Sequence, residues 1–145
     1  MAETLGMLCD KLTIVKLKQY HTEDAARLGS LNVQAKSLQE EIDQYISAAV
    51  IGNIPADKLT FASNKVFKKD GNEVGEIKGN IAEVFYQLAD VNCRLWHEQE
   101  KVYEFEKVPA IEKDVVVKQL AVLNLERNKC IDSINQQLAD MVIKK

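Results

Sequence analysis

The chain is poor in the residues that usually mark a disordered or cross-linked protein. Two prolines and six glycines in 145 residues, with 46% hydrophobic and 28% charged residues, give a globular rather than a disordered composition. Three cysteines, Cys9, Cys93 and Cys130, are an odd number, widely spaced and without a CxxC pair. They argue against a disulfide framework and for a reduced, cytoplasmic setting. No apolar run approaches 18 residues, and the opening MAETLGMLCDKL carries Glu3 and Asp10. Neither membrane insertion nor a signal peptide or anchor is therefore expected. A net charge of −3 supplies no overall basic field, so no nucleic-acid partner is expected either.

What the chain does have is helical periodicity. Leu5, Leu8, Leu12 and Val15, widened by Ile14 and Leu17, recur at the helical period rather than alternating as in a strand. They predict a first helix over about 3–27, interrupted by Leu-Gly-Ser at 28–30. Leu31, Ala35, Leu38, Ile42, Tyr45 and Ala49 predict a second over 31–50, stopped by Gly52 and Pro55. Ile77, Ile81, Val84, Leu88, Val91, Leu95 and Val102 predict a third over about 74–105. Beyond Pro109, Val117, Leu120, Ile131, Ile134, Leu138 and Met141 predict a fourth over 110–143. The one long connection, 56–75, has turn chemistry at Asp70, Gly71 and Asn72 and is expected to hold a short helical turn around 56–62 and an extended Asn-Lys-Val-Phe-Lys-Lys stretch. The expected fold is all-α: a single-domain antiparallel four-helix bundle built from two helical hairpins joined by a long crossover loop.

The only two histidines sit in Gln-Tyr-His-Thr-Glu-Asp (19–24) and Leu-Trp-His-Glu-Gln-Glu (95–100), each after an aromatic residue and three positions before an acid. Laying 11–24 on 87–100 pairs Leu12 with Leu88, Val15 with Val91, Tyr20 with Trp96, His21 with His97 and Asp24 with Glu100, as an internal duplication would. In an up-down-up-down bundle the first and third helices run parallel, so both histidines should reach the same end of the core. His21 and Asp24 are expected on a core-facing stripe with Ile14, Leu17 and Leu28, and His97 and Glu100 on one with Asp90 and Cys93.

The fourth helix adds Asn124 and Arg127 on the stripe of Val117, Leu120, Ile131 and Ile134. At about 1.5 Å of rise per residue, folding it back from a turn near 108 puts Asn124 level with Cys93 and Arg127 level with Asp90. A shared polar site of Asp90, His97, Glu100, Asn124 and Arg127 is then geometrically reasonable. It admits a structural reading, in which Arg127 pairs with Asp90 or Glu100 to fix bundle register. It also admits a small anionic ligand, held bidentately by the guanidinium with an imidazole beside it. Acid-base catalysis by His97 oriented by Glu100 is a third use of the same groups. Di-iron bundles need acids where the second helix has Leu38 and Ile42, and a cationic Arg127 opposes a divalent ion, so no metal and no cofactor are expected. Lys65, Lys68 and Lys69 with Phe67 read as a solvated loop face, and Tyr20 and Trp96 as helix packing or pocket walls.

The segment NCRLWHEQEK, followed some thirty residues later by VLNLERNKCID, resembles a family of small bacterial helical proteins of unknown function. That family is marked by Leu-Trp-His-x-x-Asp/Glu and Leu-Asn-x-x-Arg-Asn segments and is often encoded near glycosyltransferase and other surface-polysaccharide genes. The resemblance covers the third and fourth helices best and selects Trp96, His97, Glu100, Asn124, Arg127 and Asn128. Glu126 and Lys129 depart from the family pattern, and the family has no activity to carry over.

These observations point to a binding or accessory protein with a polar intrabundle site for a small anionic ligand, in the setting of bacterial surface-polysaccharide metabolism. An enzyme using His97 and Glu100 in acid-base or metal-assisted chemistry is the alternative from another class. A structural interaction module, homo-oligomeric through Val115, Val116 and Val122, is the third.

Overall fold

The computed structural model describes residues 3–61 and 76–143. Four helices account for most of them: α1 (Leu5–His21), α2 (Ala25–Val50), α3 (Ile81–Tyr103) and α4 (Ala110–Ile143). One-turn 3-10 segments occur at Ala56–Lys58 and Phe105–Lys107, and no strand is found among the described residues. The all-α four-helix architecture is as the periodicity predicts.

The break between the first two helices is a correction. It falls at 22–24, not at 28–30, because capping chemistry outweighs a lone glycine. Thr22 leaves α1 in extended geometry, and the Asp24 carboxylate then accepts from the backbone N–H of Ala26 and Arg27 at 2.9 and 3.2 Å, which starts α2. Gly29 lies inside α2 facing open space, where it costs about 1 kcal/mol relative to alanine but does not end a helix. His21 and Asp24 are accordingly exposed at a helix junction rather than on a core-facing stripe. The third helix also begins later than expected. Asn80 and Glu83 form a reciprocal capping box, and Gly79, with φ of +115°, makes the turn into it.

The helices alternate in direction, so α1 and α3 run parallel. Side chains from all four meet in one core containing Leu5, Leu8, Cys9, Tyr45, Ala49, Val84, Leu88, Ile131, Ile134 and Leu138, with Leu59 from the loop after α2. This core lies towards the end where α1 and α3 begin and α2 and α4 finish. α1 and α4 cross in close contact at Gly6. A Cβ there would stand 2.5 Å from the Ile131 carbonyl oxygen, and the Gly6 N–H donates to Asn135 Oδ1 at 2.7 Å. In this crossing the missing side chain, rather than backbone freedom, is what matters.

Towards the other end the bundle does not close. α1 packs on α2, α3 and α4, whereas α2 lies chiefly against α1 and buries only Leu31, Tyr45 and Ala49. The seam between α2 and α3 is therefore open over the first half of α2. The segment with Lys65, Phe67, Lys68 and Lys69, and the Asp70-Gly71-Asn72 turn, lie outside the described residues.

Candidate functional site

The residues expected to share one polar site fall into separate groups. Arg127 makes a bidentate pair with Asp10 of α1: Nε donates to Oδ1 at 2.9 Å and Nη2 to Oδ2. Asp10 is 4% exposed and also accepts from Asn92 Nδ2 at 2.9 Å. Asn92 donates to Thr13 Oγ1 at 2.7 Å, and the Thr13 hydroxyl donates to the Asp10 carbonyl at 2.7 Å. This layer joins α1, α3 and α4 and satisfies the buried carboxylate with three hydrogen bonds. It is a register device of the kind Arg127 was expected to make, but its acid is Asp10 rather than Asp90 or Glu100.

The other expected residues are also engaged elsewhere. Asn124 and Asn128 donate to carbonyls of their own helix, at Leu120 and Asn124. Asp90 pairs with Arg94 at 3.2 Å on the surface, and Arg94 reaches Glu126 at 3.0 Å. His97 Nδ1 lies 3.2 Å from Glu100 Oε1, an exposed pair of the kind acid-base chemistry would use. Val116, expected on an exposed apolar strip, is buried within its own chain, whereas Val115 is exposed.

The two histidines do meet. Parallel α1 and α3 bring the His21 ring face to face with Trp96, centroids 4.7 Å apart and planes 9° apart, with Tyr20 edge-on at 5.2 Å and His97 edge-on at 6.5 Å. This cluster is on the surface at the open end of the bundle, not in the core.

Two hollows flank His21. One, of about 460 Å³, is a cradle formed by Lys18, His21 and Thr22 from the end of α1, Arg27, Ser30, Leu31 and Gln34 from the start of α2, and Trp96. Lys18 and Arg27 have no ion-pair partner among the described residues. The nearby Asp24 carboxylate is occupied in capping α2. Thr22 and Ser30 accept hydrogen bonds from the Asp24 N–H and Gln34 Nε2, which leaves their own hydroxyl protons to donate. The other hollow is a trough of about 1000 Å³ in the open α2–α3 seam, with α1 as its floor.

The thiols divide sharply. Burial, with the charge of Asp10 beside it, pushes the Cys9 thiol up to about 11. Burial, with Glu126 and Asp10, pushes Cys130 up to about 12. Both are inert at neutral pH, whereas Cys93 is exposed and lines the trough. Among the described residues no group of three or more His, Cys, Asp or Glu side chains is placed to hold a metal ion, and no helix is long and apolar enough to cross a membrane.

No protein-family model, no curated protein and no solved structure matches the chain.

Lys18 and Arg27 were not singled out from the sequence. A signal was present: two cations flank the Thr-Glu-Asp turn. It becomes legible only when the turn is placed at 22–24, since a helix running to residue 27 carries Arg27 about 1.7 turns past His21 instead of folding it back beside Lys18.

Proposed function

We propose that the protein is a binding or accessory protein whose site for a small anionic ligand is the cradle of Lys18, His21, Arg27 and Trp96. The observation that carries this reading is the composition of the lining. Among the described residues, two cations without ion-pair partners and an imidazole converge from either side of one turn, beside an aromatic ring, and no acid lines the hollow. In a chain with 22 acids against 19 lysines and arginines, that is a local reversal of the overall charge. A guanidinium can grip a phosphate or carboxylate with two parallel hydrogen bonds, an ammonium adds a point charge, and the Thr22 and Ser30 hydroxyls supply further donors. An indole at the edge of the hollow suits contact with the apolar face of a sugar or base.

This differs from the arrangement expected from the sequence in its cations. Arg127 already holds the Asp10 carboxylate, so the anion falls to Arg27 and Lys18. His21, Trp96 and, across His21, His97 remain part of the neighbourhood. The resemblance to the surface-polysaccharide-associated family makes sugar phosphates the first ligands to try.

Trp96 is the only tryptophan of the chain, so its emission reports directly on the cradle. Titrating glucose 1-phosphate and inorganic phosphate into the protein should change that emission saturably, and added salt should weaken the effect. Arg27→Ala and Lys18→Ala should each weaken binding by tenfold or more while leaving the helical circular dichroism unchanged. An unaltered response in both variants would place the anion elsewhere.

A further inference from the structure

The trough on the far side of His21 has chemistry of its own. Its floor and walls present Leu12, Leu17, Ala35, Phe85 and Ala89 with Cys93, and Lys16 and Lys36 stand among its lining from α1 and α2. Neither lysine has an ion-pair partner among the described residues. Among the described residues no acid lines the trough, just as none lines the cradle. From Phe85 to His97 along α3 it runs about 18 Å at 1.5 Å per residue. Its volume is at the upper end of the roughly 300–1,000 Å³ typical of small-molecule sites. His21 lines both hollows, so the apolar trough and the cationic cradle share a wall.

We infer that the ligand is an amphiphile, an apolar chain lying in the α2–α3 trough and carrying a phosphate or carboxylate in the cradle across His21. This rests on the anion site proposed above and adds the class of molecule to it. An apolar chain gains from leaving water along Leu12, Leu17, Phe85 and Ala89. An elongated body with one acidic end also matches the observed layout: apolar length on one side, cations on the other and beside it, and no carboxylate among the described lining residues of either hollow. A neutral hydrocarbon would leave the four cations unused, and a compact polar anion would leave the trough in water.

The test is a chain-length series of inorganic phosphate, butyl phosphate, octyl phosphate and dodecyl phosphate, each below its micelle concentration, followed by calorimetry and by Trp96 emission. Burial of a methylene is worth about 0.8 kcal/mol, or roughly fourfold in affinity, so in this open trough each added methylene should tighten binding about two- to fourfold until the trough is filled. Cys93 gives a separate readout without mutation. Dodecyl phosphate should slow its alkylation by N-ethylmaleimide, and inorganic phosphate should not. Cys93→Trp, at an exposed position and read by calorimetry because it adds a second indole, should remove the chain-length gain and leave inorganic phosphate binding as it was.

Phosphate binding with no dependence on chain length overturns the amphiphile and leaves the cradle standing. Failure of every compound in the series overturns both. Equal binding of 1-decanol and its phosphate would show an apolar site with no role for the cations, and would overturn the proposal. So would a chain-length gain that survives Cys93→Trp with no protection of the wild-type thiol.

Discussion

Breaking the Asp10–Arg127 pair from its two sides should cost unequal amounts, because the two charges differ in their access to water. The Asp10 side chain is 6% exposed and that of Arg127 is 30% exposed. Arg127→Met removes the guanidinium and leaves a carboxylate sealed between helices with Asn92 as its remaining side-chain donor. Stranding a buried charge in this way costs about 3–5 kcal/mol. Asp10→Ala strands the guanidinium instead, but that group is already partly in water and can swing further out, so solvent screening reduces the loss to about 1–3 kcal/mol. The double variant strands neither. It should be more stable than the sum of the single losses predicts, with a coupling energy of about 1–3 kcal/mol. Urea unfolding followed by circular dichroism at 222 nm measures all four corners of the cycle. Two results would refute the reasoning: additive losses, which would mean that the pair contributes no mutual stabilisation, and a larger loss for Asp10→Ala than for Arg127→Met, which would reverse the assigned burial.

Other consequences can be checked with similar measurements. Gly6→Ala forces a methyl group against the Ile131 carbonyl and should destabilise the fold by about 1–3 kcal/mol, seen as a lower urea midpoint; an unchanged midpoint would mean that α1 and α4 do not cross there. Asp24→Ala removes the cap that starts α2 and should cost about 1 kcal/mol by the same measurement, whereas Gly29→Ala should be neutral or stabilising. If the helix break were at 28–30, those two effects would exchange places. Of the three thiols, one, Cys93, should react with Ellman's reagent in the folded protein at neutral pH. Cys9 and Cys130, with thiol pKa values raised to about 11 and 12, should react only after denaturant is added.

Much of the architecture was written in the apolar period. The α2 stripe from Leu31 to Ala49, the α3 residues Val84, Leu88 and Val91, and Ile131, Ile134 and Leu138 of α4 match the structure, whereas Val117 and Met141, expected on the α4 stripe, are exposed. Both histidines do lie at one end of the bundle, but in a surface cluster rather than in the expected core layer. The pattern could not resolve which polar residue faces which across the bundle. Asp10 sits amid apolar neighbours of α1 and gives no sign in one dimension that it partners Arg127, 117 residues away. Asn92 and Asn135 are likewise buried polar residues whose partners, Asp10 and Gly6, depend on helix rotation. A 3.6-residue period fixes a face only to within about one residue's turn. The α1–α2 boundary failed for a different reason. A glycine is a visible breaker, whereas the aspartate cap at 24 competes with it quietly and wins because it satisfies two backbone N–H groups.

The unequal seating of α2 separates two properties that many small proteins carry on the same residues. Stability resides in α1, α3, α4 and the last half of α2, where Tyr45 and Ala49 enter the common core. Asn32, Lys36 and Gln39, which form one wall of the trough, are exposed and contribute little to that core. Substitutions at these three positions can alter the width, charge and selectivity of the trough with small effect on folding free energy. The first half of α2 is thus a place where descendants of this chain can change what they hold without renegotiating how they fold.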